Sequence, residues 1–388
     1  MTDVVLIDGA RTPHGTLLGS LTEVDAVELG RIAVDGLLDR VAIDGHDVDW
    51  VSMGNAIQAG IGQVPARQVV VESDLPNETQ VTTINEASGS GLRAITLAAD
   101  RLTAGRADMA IAGGFESMTN APWILPDYRT GKRYGDVTLK DSMLLDSLWD
   151  VNLDVHMGEI TEGLVSREDL SRDAQDEYAL KSHQLAAEAI DAGEFDPELV
   201  PVETPDGTFE RDEGPRPDST LSDLGGLPTP FADGGTITPG NASKLADGAG
   251  AVLLTTGEAA DEHGLEPMLE LVDYDLVYRN PDEFNEAVGD VIEGLLAAND
   301  LGVDDVDHFE VNEAFSAQSV YVMDRLGISR ERFNPRGGAV AFGHPIGASG
   351  GMLATALAYA MTDAGNEYGL LGMSVGGGGA IMSLWRRA

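Results

Sequence analysis

Ser88 and His344 are the two side chains whose surroundings in the sequence point to covalent chemistry. Ser88 lies in Asn85-Glu86-Ala87-Ser88-Gly89-Ser90-Gly91, between an apolar stretch at 80–84 that reads as a strand and a helix beginning near Leu92. A side chain at a strand-to-helix turn projects beside unpaired N–H groups and the positive end of the helix dipole, which favour developing negative charge. His344 lies in Gly343-His344-Pro345-Ile346-Gly347, inside the glycine-dense stretch 337–350. Imidazole accepts a hydroxyl proton near neutral pH, so His344 is the candidate base for a hydroxyl nucleophile. The glycines allow close substrate approach, and Pro345 stiffens the loop. The chain contains no cysteine, so disulfides, Cys-ligated zinc and thiolate chemistry are excluded. Each residue also has a plainer reading: Ser88 as a helix N-cap, His344 as a polar surface group.

Two further blocks carry polar groups next to strands. Val311-Asn312-Glu313-Ala314-Phe315-Ser316 follows an apolar strand end, and Met373-Ser374-Val375 runs into Gly376, Gly377, Gly378 and Gly379. Consecutive glycines after a strand offer backbone N–H donors suited to an oxyanion hole. Alternatively, Asn312 caps a helix, Ser374 is a small core polar group and the glycine run is a β-bulge.

The elements that position these blocks repeat within the chain. Residues 36–59 align without a gap on 294–317, sharing Gly-Leu-Leu, Asp-Val-Asp and a final Ala; each copy reads as helix, acidic loop, strand, loop. Residues 88–114 resemble 347–377, each a glycine-rich turn, an Ala-rich helix and an apolar strand ending in glycines. Short apolar strands placed after helices are buried on both faces, so the expectation is two related α/β halves, each five-stranded. Between them, 118–245 differs in character and contains one strong helical segment, Arg172–Ala192; it reads as an inserted loop domain leaning over the site.

Composition narrows the function classes. The net charge is −42 and the only lysines are Lys132, Lys140, Lys181 and Lys244, which argues against a nucleic-acid partner. No stretch is apolar enough to span a membrane, and the start lacks a signal-peptide pattern, so a soluble, cytoplasmic protein with no membrane partner is expected. Such charge is tolerated where salt screens it, which points to a halophile. No metal cage, P-loop or nicotinamide fingerprint occurs; no metal site is expected.

Taken in order, the motifs resemble the thiolase family along nearly the whole chain. The matching pieces include Ala10-Arg11-Thr12-Pro13, Gly62-Gln63-Val64-Pro65, the turn at Ser88, Gly113-Gly114-Phe115-Glu116-Ser117-Met118, His156-Met157-Gly158, Gly240-Asn241-Ala242-Ser243, Asn312-Glu313-Ala314-Phe315, Gly343-His344-Pro345 and the final glycine run. The resemblance implies a duplicated, layered α-β-α-β-α fold. Its parts would be an N-terminal half over 1–117 with a return segment at about 246–260, a loop domain over 118–245, and a C-terminal half over 261–388.

It also implies an acyl-CoA C-acyltransferase acting on 3-ketoacyl-CoA, with coenzyme A as a substrate moiety and no separate cofactor. Ser88 falls where the family carries its nucleophilic Cys, so the chain is similar to a haloarchaeal member with Ser there. His344 matches the activating histidine, Ser374 a second Cys serving as acid/base, and Asn312 the holder of an oxyanion-hole water. Gly376, Gly377 and Gly378 would form an oxyanion hole. His156, Met157, Ser243, Ala314 and Phe315 would contact substrate or CoA. Asn280–Asn285 replaces a Met-Gly-x-Gly-Pro-type segment of the acyl pocket. The resemblance further implies a homodimer or homotetramer, with room for a small accessory subunit. Two other readings remain: an inactive acyl-CoA-binding scaffold, and an acyl-CoA hydrolase.

Overall fold

The computed structural model describes residues 3–388 except 42 and 127. Nine main strands are Val4–Arg11 (β1), Trp50–Gly54 (β2), Gln80–Ile84 (β3), Met109–Ser117 (β4), Ala246–Thr256 (β5), Leu269–Tyr278 (β6), His308–Val311 (β7), Tyr368–Val375 (β8) and Gly379–Arg387 (β9). They lie side by side in the order β7-β8-β9-β6-β1-β5-β4-β2-β3. The first half contributes β3-β2-β4-β5-β1 and the second β7-β8-β9-β6, which is the same winding. In each, the strands nearest the outer edge are parallel and the next to last is antiparallel to both neighbours. The halves meet through the pairs Val5↔Glu270 and Leu6↔Leu269.

The internal repeat is visible element by element. Helix α1 (Ala26–Val41), a 3₁₀ turn at Gly45–Asp47 and β2 correspond to a helix at Phe284–Ala298, a 3₁₀ turn at Val303–Asp305 and β7. One expectation needs correction: the second half has four strands, not five. In place of the fifth, one parallel bridge joins Phe309 and Phe333. Asn334, at φ +46°, turns the chain away and completes the edge with its side chain. Its Oδ1 accepts from Val311 N at 2.7 Å and its Nδ2 donates to Val311 O at 2.8 Å. A side-chain amide thus replaces a ladder rung, which an Asn tolerates in the left-handed region better than most residues.

The helices complete five layers. Helix α1 covers the outer face of the first half, burying Leu29, Val34 and Leu37 against Ile111, Phe115 and Leu253. The Phe284–Ala298 helix does the same for the second half with Val288, Val291 and Ile292. Between the two halves of the sheet lie α2 (Ser90–Thr103) and its repeat, Ser349–Ala364, sharing one core with Leu92, Ile95, Leu357, Met361 and Trp385. Those two central helices cross backbone to backbone. A methyl added at Gly350 would sit 1.9 Å from Leu92 N, and one at Gly351 2.2 Å from Gly250 O. Arg172–Ala192, read as helical from the sequence, is a helix with Ser171 accepting from Ala174 N and Gly193 closing it at φ +74°. No helix among the described residues is long and apolar enough to cross a membrane.

Candidate active site

The turn before α2 is built by its own short side chains. Ala87 holds a left-handed backbone, φ +48°, a conformation uncommon for a residue with a Cβ. Three bonds keep it there: Ala87 N donates to Asn85 Oδ1, Ser90 Oγ donates to Ala87 O at 2.6 Å, and Glu86 N donates to Ser90 Oγ at 2.9 Å. Ser88 follows at the crest, half-buried. The residue capping α2 is Gly89, with no side-chain cap. Ser88 therefore makes no capping bond, and its hydroxyl is free to face the positive end of the helix.

What it faces is His344. Nε2 lies 3.0 Å from Ser88 Oγ, and Nδ1 lies 2.6 Å from Ser349 Oγ. Ser349 Oγ can donate to Pro345 O, at 3.5 Å, which leaves it to accept from Nδ1–H. That tautomer puts the lone pair on Nε2, toward the Ser88 hydroxyl. His344 is 4 % exposed, and burial, with a smaller push from His14, lowers its pKa to about 3. The ring is thus neutral at physiological pH and can accept a proton but does not hold one at rest. Its main chain is fixed by His344 N donating to Lys244 O at 2.9 Å. Gly343, at φ +110°, leaves no room for a side chain, since a Cβ would meet that of Ala246 at 2.6 Å.

The other sequence candidates fall around this pair in different ways. Gly376, Gly377 and Gly378 form the hairpin between β8 and β9, with φ +84° and +97° at the last two. Gly376 borders Ala87, so the hairpin lies beside the Ser88 turn. Ser374 sits in β8, 3 % exposed, one residue before Val375, whose side chain packs on Gly89. Asn312 is anchored beside it, its N donating to Gly372 O at 2.9 Å, and its buried Nδ2 has no partner among the described residues. No hydrogen bond among the described residues links Ser374 or Asn312 side chains to Ser88 or His344.

Met157, Ala314 and Phe315 share one apolar cluster with Phe231 and Phe284. His156 caps the helix at Met157–Glu168, its Nδ1 accepting from Gly158 N at 3.0 Å, and stacks on Phe231 at 4.7 Å. Ser243 N donates to Ala314 O at 3.0 Å. The five therefore converge on one place, and Lys244, next to Ser243, ties it to His344. The departing segment 280–285 borders the same region: the carbonyls of Arg279 and Asn280 abut Gly378, and Phe284 is buried in the cluster.

Sequence reasoning missed the residues that hold the site rather than compose it. Glu313, fully buried, accepts from Tyr178 Oη at 2.7 Å, Ser182 Oγ at 2.8 Å, Asn334 Nδ2 at 3.1 Å and Val340 N at 3.1 Å. It joins the Asn312 block to the 172–192 helix and to the loop leading to His344. Ser349 gave no signal beyond its place in a glycine-rich run, where a serine at a helix start is ordinary.

Comparison with known proteins agrees along the whole length. The thiolase N-terminal domain matches residues 4–258 and the thiolase C-terminal domain residues 265–387. The acetyl-CoA acetyltransferase of Cupriavidus necator is 39% identical over 393 residues, covering 100% of both chains. The crystal structure of the Bacillus anthracis acetyl-CoA acetyltransferase superposes with a TM-score of 0.97 at 33% identity, covering 100% of this chain and 99% of that one. Human mitochondrial 3-ketoacyl-CoA thiolase superposes with a TM-score of 0.96 at 34% identity and the same coverage.

Proposed function

The chain belongs to the thiolase family of acyltransferases, and from that premise we propose that it cleaves and forms 3-ketoacyl-CoA, such as acetoacetyl-CoA, through an acyl ester on Ser88. The observation that carries this is the contact of Ser88 Oγ with His344 Nε2 at 3.0 Å. In cleavage, His344 takes the Ser88 proton as Oγ adds to the 3-keto carbon. The resulting oxyanion is met by a water held by the Asn312 amide and by the N–H groups of the Gly376–Gly378 hairpin. Collapse breaks the bond between carbons 2 and 3, leaving the acyl ester and the carbanion of acetyl-CoA. That carbanion takes the proton held by His344, relayed by the Ser374 hydroxyl. The thiol of CoA then gives its proton to His344 as sulfur attacks the ester, and the proton returns to Ser88 with release of acyl-CoA. His156, Met157, Ser243, Ala314 and Phe315 line the CoA side, and the protein works as a homodimer or homotetramer in a salt-rich cytoplasm.

A neutral buried imidazole suits this scheme, because proton removal and attack are concerted and no resting alkoxide is needed. Thiolysis of acetoacetyl-CoA by CoA in molar KCl tests it. Ser88→Ala is expected to lower the rate by about 10⁴-fold or more, whereas Ser88→Cys keeps or raises it, the thiolate being the better nucleophile. Intact thiolysis in Ser88→Ala would place the acyl group elsewhere.

A further inference from the structure

Glu116 sits at the end of β4, fully buried, where nothing in the reaction just described uses it. Four donors surround it. Oε1 accepts from Asn55 Nδ2 at 2.8 Å and Ile57 N at 3.2 Å; Oε2 accepts from Ala56 N at 2.9 Å and Gly347 N at 2.9 Å. Three of these belong to the turn after β2, in the first half of the fold. The fourth is in the second half, in the short turn between His344 and Ser349, the residue that orients its ring.

The Gly347 peptide is held from its other side as well. Its carbonyl lies in a slot floored by three glycines of the first half: a methyl at Gly114 would approach it to 2.0 Å, at Gly54 to 2.7 Å and at Gly91 to 2.9 Å. Gly91 follows Ser88 by three residues. The slot sets the depth of the His344 loop against the Ser88 turn, and among the described residues Glu116 is the side chain whose carboxylate grips that peptide.

We propose that Glu116 is a positioning residue for the acyl-transfer step, a carboxylate clamp that holds the His344 loop of one half in register with the Ser88 turn of the other. The inference rests on the Ser88–His344 reading. All four partners are N–H donors, so the clamp works as an ionised acceptor; a proton on Glu116 must displace one of them. Burial, reinforced by Asp247 on β5, raises its pKa to about 7 against the pull of those donors. Asp247 is the charged group that acts on it; the β2 turn presents Asn55, Ala56 and Ile57, and the His344 loop presents Gly347. His344 itself is held neutral far below that range, whereas burial lowers the pKa of Lys244, beside the His344 loop, into the same range, to about 7; the part of the loss of acyl transfer between about pH 7 and 6 that Glu116→Gln removes is therefore the signature of Glu116.

The test is single-turnover acylation of Ser88 in the full-length protein, followed across pH. Glu116→Gln retains the shape but turns an N–H₂ toward two N–H donors. It is expected to slow acylation at least 10-fold with KM within 2-fold, and to flatten the acidic limb of the profile. Asp247→Asn removes the neighbouring charge and is expected to move that limb to lower pH with the plateau rate unchanged; it also serves if Glu116→Gln does not fold. Acylation in Glu116→Gln within 2-fold of the parent, or an acidic limb that stays in place in both variants, overturns the proposal. Because Ser88→Ala is read separately, its loss of activity beside an unaffected Glu116→Gln would sink the clamp alone.

Discussion

At the scale of single residues, the site depends on how His344 is oriented as much as on where it lies. The ring has two nitrogens, each against a hydroxyl, and the shorter contact, with Ser349 at 2.6 Å, favours the proton on Nδ1. Ser349→Ala removes that acceptor and leaves the ring free to choose the unproductive tautomer. The expected result is a fall in thiolysis of about 10-fold, a fraction of what general-base catalysis contributes, with KM for acetoacetyl-CoA nearly unchanged and Ser349→Thr recovering much of the loss. Equal activity in Ser349→Ala would show that burial alone fixes the ring. The stability term of His344 has a definite sign. Its folded pKa lies below the ordinary 6.5, so the unfolded chain binds the proton first. The associated stability is complete above about pH 6.5 and is lost as pH falls toward 3.

Among elements, the sequence was most legible where glycine patterns recur and least where single polar side chains do the holding. The repeats at 36–59 and 294–317 announced matching helices, turns and strands because acidic turns and apolar strands carry strong local signals. Ser88 and His344 stood out through their glycine-rich turns. Glu116 stood within the motif at 113–118, near the end of a nine-residue strand buried throughout, but its role depends on donors from residues 55–57 and 347 that no local pattern connects. The missing fifth strand of the second half was equally hidden, since the Asn334 side chain does its pairing. The central helices carry their own prediction. Gly350→Ala would press a methyl into the α2 backbone, and because the obstacle is main chain, relief requires the helices to part. Destabilisation of about 3 kcal/mol is expected in denaturant unfolding. A change under 1 kcal/mol would mean the crossing is looser than its geometry.

For the molecule as a whole, charge is the dominant fact: 66 acidic against 24 basic residues. Repulsion among them is screened as the Debye length shrinks from about 10 Å at 0.1 M salt to about 3 Å at 1 M. Melting temperature and thiolysis rate are expected to climb together over molar KCl, with sedimentation showing a dimer or tetramer in that range; full activity of a stable monomer at low ionic strength would contradict both. The duplication reaches further than the sheet order. Ser90 and Ser349 each open one of the paired central helices, and each turns its hydroxyl back onto the turn just before it: Ser90 onto the peptide that lifts Ser88, Ser349 onto His344. One local device, copied, came to brace a nucleophile in one copy and a base in the other. A lone half would possess Ser88 without His344, or His344 without Ser88. Reactivity in this architecture is thus a property of the seam where the two halves face each other.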